Sequence, residues 1–173
     1  MSFLYFAYGS NMLTTRLQAR CPSARPLGRA VVQGWCVDFV KPGRDGSAKA
    51  GLLPDSEGEA HGVLFGIARA DLPALDRAEA AGKGYDRADS FVVFSLAEDG
   101  DVPVVTYLPR QTRKDLLPYD WYHRLCLEGA RQHDLPLVWL AKLEAVATQT
   151  DPNPKRAARL HALEALRLYQ VAP

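Results

Sequence analysis

The sequence predicts an α+β domain: a small, mostly antiparallel sheet, closed or nearly closed into a β-barrel, with helices flanking it. Strand-type runs recur between Ala30 and Leu108 at hairpin-length spacing, and helical signals gather after Tyr119. A chain of 173 residues suffices for one ordinary core but not comfortably for two, so residues 1–173 are read as a single domain.

Phe3 to Tyr8 is an unbroken apolar and aromatic run, the pattern of a fully buried strand, and it breaks at Gly9-Ser10-Asn11. Gly9 suits a turn with positive φ, and Asn11 suits the N-cap of a helix from Met12 to Ala19. After a loop at Cys21 to Pro26, Ala30 to Val40 reads as a strand that Pro42 to Ser47 ends. Gly51 to Leu53, His61 to Ala68, Ser90 to Leu96 and Val102 to Leu108 are further strands, divided by turn signals such as Asp55-Ser56-Glu57-Gly58 and Glu98-Asp99-Gly100-Asp101. A short helix from Asp71 to Ala81 interrupts the sheet. Tyr119 to His133, Leu137 to Val146 and Pro154 to Tyr169 are helical, with Asn153 and Pro154 as N-cap and first residue of the last. Leu160, Leu163, Leu166 and Leu168 supply the stripe expected to pack that helix onto the domain.

Composition narrows the function classes. A net charge of +1, with acidic and basic residues mixed throughout, gives no electrostatic footprint for nucleic acid or an anionic membrane. No apolar run approaches the roughly 18 residues of a membrane span, and no signal-peptide pattern opens the chain, so a cytoplasmic location is expected. Three widely spaced cysteines, Cys21, Cys36 and Cys126, form neither a disulfide framework nor a zinc motif. The four histidines show no ligand spacing. No metal and no cofactor are expected; the partner is a small molecule, and a homodimer is compatible with the sequence.

Two features carry chemistry. The strand-turn-helix at Tyr8 to Asn11 collects backbone N–H groups at a helix start, an arrangement that favours a carboxylate or a developing oxyanion; the plainer alternative is a capped turn. In the second, Leu72, Leu75 and Glu79 fall on one helical stripe, so Glu79 points inward near a helix C-terminus, ahead of Gly82. Burial and the negative helix end both disfavour ionisation and would raise its pKa. A raised carboxylate suits a base that deprotonates an ammonium: against an amine of pKa about 8, a glutamate at about 4.3 faces roughly 5 kcal/mol, one at about 6.5 only around 2. The structural alternative is an ion pair with Arg77 or Arg87, and Asp76 is the second carboxylate candidate. Ser10 as a nucleophile lacks the G-x-S-x-G pattern, and Cys126 with His123, one helical turn apart, reads as packing.

Tyr8-Gly9-Ser10-Asn11 behind a buried strand, followed by Leu75-Asp76-x-x-Glu79 and then Gly84-Tyr85, resembles the γ-glutamylcyclotransferase family. The region around Asp38-Phe39 and the tail from Leu135-Pro136-Leu137 through Asp151-Pro152-Asn153 are similar to the branch acting on γ-glutamyl amino acids, and the resemblance covers nearly the whole chain. It implies cofactor-free cyclisation of a γ-glutamyl substrate to 5-oxoproline, with release of the amine-side product. By position, Glu79 matches the family's general base and acid; Tyr8, Gly9, Ser10 and Asn11 match the loop holding the γ-glutamyl moiety, and Tyr85 matches a tyrosine lining the pocket. The family often has glycine directly after its glutamate, where this chain has Ala80-Ala81 before Gly82. Arg110, Arg113 and Lys114 are candidates to meet the leaving group's carboxylate. A γ-glutamylamine (isopeptide) cyclotransferase and a non-catalytic γ-glutamyl-binding domain are the alternatives.

Overall fold

A computed structural model describes residues 1–171, which form a ring of five strands with helices around it. β1 (Ser2–Ala7) pairs antiparallel with β3 (Ala48–Ala68) from Ser2 against Ala68 to Ala7 against Val63. β3 pairs along its length with β2 (Arg25–Pro42), which meets β4 (Tyr85–Ser95) at Ala30 against Ser95. β4 pairs with β5 (Gly100–Pro109), and β5 returns to β1 through the parallel pair Tyr5–Val105, so the order β1-β3-β2-β4-β5 closes on itself. The architecture is α+β, as expected, with β1–β5 the sole parallel junction of the ring.

The expected strands Gly51 to Leu53 and His61 to Ala68 are one strand. Gln33 pairs with Glu59 and Trp35 with Pro54, so Asp55 to Gly58 sits as an outpouching opposite Gly34 alone rather than as a hairpin turn. Gly34 takes φ +77, a left-handed conformation that glycine adopts without Cβ strain. β1 is central and buried on both faces: Phe6 and Ala7 are fully buried, with Phe65, Val63 and Ile67 of β3 beside them. That explains why its sequence is continuously apolar rather than alternating.

A helical layer covers the end of the ring to which β1 delivers the chain. It comprises a 3-10 turn (Ser10–Met12), α1 (Thr14–Gln18), α3 (Asp120–Gln132), α4 (Leu137–Glu144) and α5 (Ala157–Gln170). The expected caps are not caps. Asn11 lies inside the 3-10 turn, and α5 begins at Ala157, while Asn153 Oδ1 accepts the Lys155 N–H at 3.1 Å. α5 packs through Ala162, Ala165 and Leu166; the two alanines allow close approach to α1, where Thr15 donates to the Ala165 carbonyl at 2.7 Å. Leu160, Leu163 and Leu168 remain exposed. No helix among the described residues is long and apolar enough to cross a membrane.

Asp151 ties α5 to α3. Its carboxylate accepts from Trp121 Nε1 at 3.0 Å, Arg156 Nε at 2.7 Å and the Asn153 N–H at 2.9 Å. Arg156 above all holds it down from 3.8 to about 2. The folded value lies below the unfolded one, so the stabilisation is complete above pH about 4 and fades as pH falls toward 2. Asp151→Asn is therefore expected to melt below wild type at pH 7, with the gap closing between pH 4 and 2 in acid titrations followed by circular dichroism. A gap that persists at pH 2 would assign the effect to packing instead.

Candidate active site

The site forms where β1 ends. Gly9 has φ −124°, not the expected positive value; what requires glycine there is room, because a Cβ would stand 3.1 Å from the Ala50 Cβ. The Met12 N–H closes the turn on the Gly9 carbonyl at 3.0 Å, while the N–H groups of Gly9, Ser10 and Asn11 have no acceptor among the described residues. These three residues, with their backbone donors unspent, line a cavity.

Asn11 uses its side chain over long range. Its Nδ2 donates to Glu79 Oε1 at 2.8 Å and to Tyr5 Oη at 3.0 Å, and its Oδ1 accepts from Arg20 Nη1 at 2.8 Å. Glu79 is the last residue of α2 (Leu72–Glu79), which Leu75 anchors by complete burial, so the glutamate faces inward as its spacing predicts. It is not the isolated carboxylate expected: Arg20 Nη1 lies 3.2 Å from Oε1, and the partner is neither Arg77 nor Arg87. Oε2 accepts no hydrogen bond from the described residues, leaving one oxygen of the pair free. Asp76 belongs elsewhere, accepting from Tyr107 Oη at 2.7 Å and pairing with Arg87 at 2.6 Å, and it lines neither cavity of the site.

α2 ends in a Schellman motif, with Ala80 N–H bonded to the Arg77 carbonyl and Ala81 N–H to the Asp76 carbonyl at 2.9 Å. Ala80 is the left-handed residue, at φ 50° and ψ 50°. It occupies the position where glycine is usual, which gives a physical reason for a glycine after the glutamate. A Cβ there costs about 1–2 kcal/mol, against about 0.5–1 kcal/mol for the extra unfolded freedom of glycine. Ala80→Gly is therefore expected to stabilise by about 0.5–1 kcal/mol, a rise of about 1–4 °C in Tm by calorimetry. A lower Tm would mean that the alanine methyl contributes packing that outweighs its strain.

A small inner pocket is lined by Gly9, Ser10, Asn11, Ala50, Glu79 and a cluster of tyrosines: Tyr5, Tyr8, Tyr85, Tyr107 and Tyr122. Tyr85 Oη donates to the Ala50 carbonyl at 2.7 Å, the Ala50 N–H donates to Tyr122 Oη at 3.1 Å, and Tyr8 Oη donates to the Tyr107 carbonyl. Burial pushes the Tyr8, Tyr85 and Tyr122 phenols well above their ordinary range, so they stay neutral hydroxyls. The pocket opens into an outer cavity of about 410 Å³ that shares Ser10, Glu79, Tyr85 and Tyr122 with it. Lys49, ion-paired to Asp45 at 2.9 Å, and Arg156 stand on its wall with Trp121.

All six residues singled out from the sequence, Tyr8, Gly9, Ser10, Asn11, Glu79 and Tyr85, line the inner pocket. Arg110, Arg113 and Lys114 do not line either cavity. Arg110 donates to the Gly82 carbonyl, Arg113 pairs with Asp115, and Lys114 borders a separate surface recess beside Asp38. No histidine lines either cavity to activate Ser10. His123 Nε2 lies 2.7 Å from the Leu143 carbonyl, and burial pushes the Cys126 thiol up to about 12, so that pair is structural. Sequence reading missed Arg16 and Arg20, whose spacing of four was the available signal, and the pocket tyrosines Tyr5, Tyr107 and Tyr122, which carry no local one.

Comparison with known proteins shows the family. The family model "Gamma-glutamyl cyclotransferase, AIG2-like" matches residues 5–124, a span containing every residue of the inner pocket. Gamma-glutamylcyclotransferase of Bos taurus is 31% identical over 157 residues, covering 88% of this chain and 80% of the relative. Its Homo sapiens counterpart is 30% identical over 161 residues, with the same coverage. A solved structure named gamma-glutamyl cyclotransferase superposes with a TM-score of 0.83 at 26% identity, covering 95% of this chain and 99% of that one. The chain belongs to the γ-glutamyl cyclotransferase, AIG2-like family.

Proposed function

We propose that the protein is a γ-glutamylcyclotransferase, converting γ-glutamyl amino acids to 5-oxoproline and the free amino acid, with Glu79 as its base and acid. The observation that carries this is the Glu79 carboxylate fixed through Oε1 to Asn11 of the Tyr8-to-Asn11 turn, with Oε2 free and the residue lining the same pocket as Gly9, Ser10 and Asn11, whose backbone N–H groups are unpaired.

The chemistry needs little more. Nucleophile and electrophile share one substrate molecule, so the site has mainly to hold a conformer in which the α-nitrogen faces the γ-carbonyl carbon. A new C–N bond closes the ring as the γ-carbonyl oxygen becomes an oxyanion; the bond to the amine-side nitrogen then breaks as the carbonyl re-forms. The α-ammonium gives up two protons and the departing nitrogen gains two, so the reaction needs a shuttle but no net acid or base. Glu79 Oε2 is the shuttle, a role typically worth about 10² to 10⁴ in rate. The Gly9 to Asn11 N–H groups serve as donors to the substrate's anionic oxygens, each well-aimed oxyanion donor being worth roughly 3 to 4 kcal/mol. Neutral tyrosines fix the glutamyl tail without adding charge. The departing amine lies toward the outer cavity.

Release of 5-oxoproline from γ-glutamyl-alanine by the purified protein tests the assignment. Saturable binding of the dipeptide without product would make the domain a γ-glutamyl binder instead.

A further inference from the structure

The outer cavity holds more cation than this chemistry uses. Arg20 pairs with Glu79, Lys49 with Asp45 and Arg156 with Asp151. Four further cations line the same cavity, Arg16, Lys41, Arg44 and Arg77, and none has an ion-pair partner among the described residues. Arg16 is the telling one. It is only 9% exposed, and its Nε is buried with no hydrogen-bond partner. Burial, with Arg20 beside it, brings its pKa down to about 9, which leaves it charged at neutral pH. A buried unpartnered charge is costly unless a ligand completes it. Lys41 is half-buried, its Nζ 4.8 Å from the Tyr85 ring centre, at the junction of the two pockets. Arg44 and Arg77 are exposed at the rim, where clefts of one sign focus the field on an incoming anion.

A single carboxylate on the leaving amino acid would meet one or two of these cations and leave the rest unmatched. The cavity, at about 410 Å³, falls within the range of small-molecule sites and has room beyond a small neutral side chain. We propose that the outer cavity is an acidic-acceptor subsite, so that the preferred substrates are γ-glutamyl conjugates whose departing amine carries two or more carboxylates, as in an acidic amino acid or acidic dipeptide. This rests on the cyclotransferase reading and names the amine side of its substrate. Amine-side groups bearing a cation, such as the lysine of an isopeptide, are disfavoured by the same field.

The test is kcat/KM for 5-oxoproline release from γ-glutamyl-glutamate, γ-glutamyl-alanine, ε-(γ-glutamyl)-lysine and γ-glutamyl-ethylamide. The diacid is expected to exceed the alanine peptide by roughly 10-fold or more, the lower bound for completing a charged hydrogen bond, with the lysine and ethylamide conjugates poorer still. The ratio of diacid to alanine peptide should shrink about threefold or more in Lys41→Gln and in Arg77→Gln, and again in high salt. Both positions are accessible enough to vary without opening the core. Turnover of the alanine peptide equal to or better than the diacid overturns the subsite and leaves the cyclotransferase intact. A preference for the diacid that neither variant changes removes the assignment to this cavity. Product from none of the four overturns both.

Discussion

Glu79→Gln is expected to lower kcat for 5-oxoproline release by about 10² to 10⁴-fold, the usual worth of a positioned proton shuttle. The same variant should fold and melt close to wild type. A glutamine oxygen at the Oε1 position still accepts from Asn11 Nδ2 and Arg20 Nη1, so the bonds that seat the side chain survive and only its charge and basicity go. Because the Arg20–Glu79 pair is part-exposed, at 23% and 16%, loss of its charge should cost no more than about 1 kcal/mol. Loss of turnover with retained affinity for the γ-glutamyl dipeptide is the signature sought, by stopped assays and calorimetric titration together. Retained turnover removes Glu79 from the chemistry. A drop in Tm beyond about 5 °C marks it instead as a strut between α2 and the turn.

That outcome matters because Glu79 was legible from its own helix while the bonds that seat it were not. Spacing of Leu72, Leu75 and Glu79 sets the inward face of α2, a property of eight consecutive residues that the local pattern contains. Asn11 shows the opposite case. Its local chemistry fits a helix cap, but its partners lie 68 residues away at Glu79 and six away at Tyr5, and the long-range bonds win. Arg110, Arg113 and Lys114 looked suited to a leaving carboxylate because a loop after a strand is a common place for ligand contacts. That loop is exposed, and the cations at the site come instead from α1 and the residues just after it, from the β2–β3 hairpin, from the last turn of α2 and from Arg156 ahead of α5. Closure of the ring brings these segments together, and closure is a property of pairings such as Tyr5 with Val105 that no single window shows. Of the leucines of α5 only Leu166 packs as the apolar period predicts; Leu160, Leu163 and Leu168 stay exposed, and the buried face is completed by Ala162 and Ala165.

A further dependence of the site on distant packing runs through Gly129. This residue of α3 lies under the turn, and a Cβ added to it would stand 2.5 Å from the Leu13 nitrogen and 2.8 Å from the Met12 carbonyl carbon. Those are backbone atoms, which cannot swing aside as a side-chain tip would. Gly129→Ala must therefore push α3 and the Met12–Leu13 backbone apart. Overpacking of this kind costs about 1–3 kcal/mol and occasionally more, partly offset by up to about 1 kcal/mol from the better helix propensity of alanine. A net loss of about 1–2 kcal/mol corresponds to a Tm about 2–8 °C lower. Activity should fall further than stability does, because Met12 follows directly on Asn11, and a shift of about 1 Å at the turn loosens the bond that seats Glu79. Measured well below its Tm, where circular dichroism shows full folding, Gly129→Ala is expected to lose about 10-fold or more in kcat. Wild-type kcat in a destabilised Gly129→Ala would show that the turn holds its geometry without α3. Unchanged stability would show that the helix has slack to move.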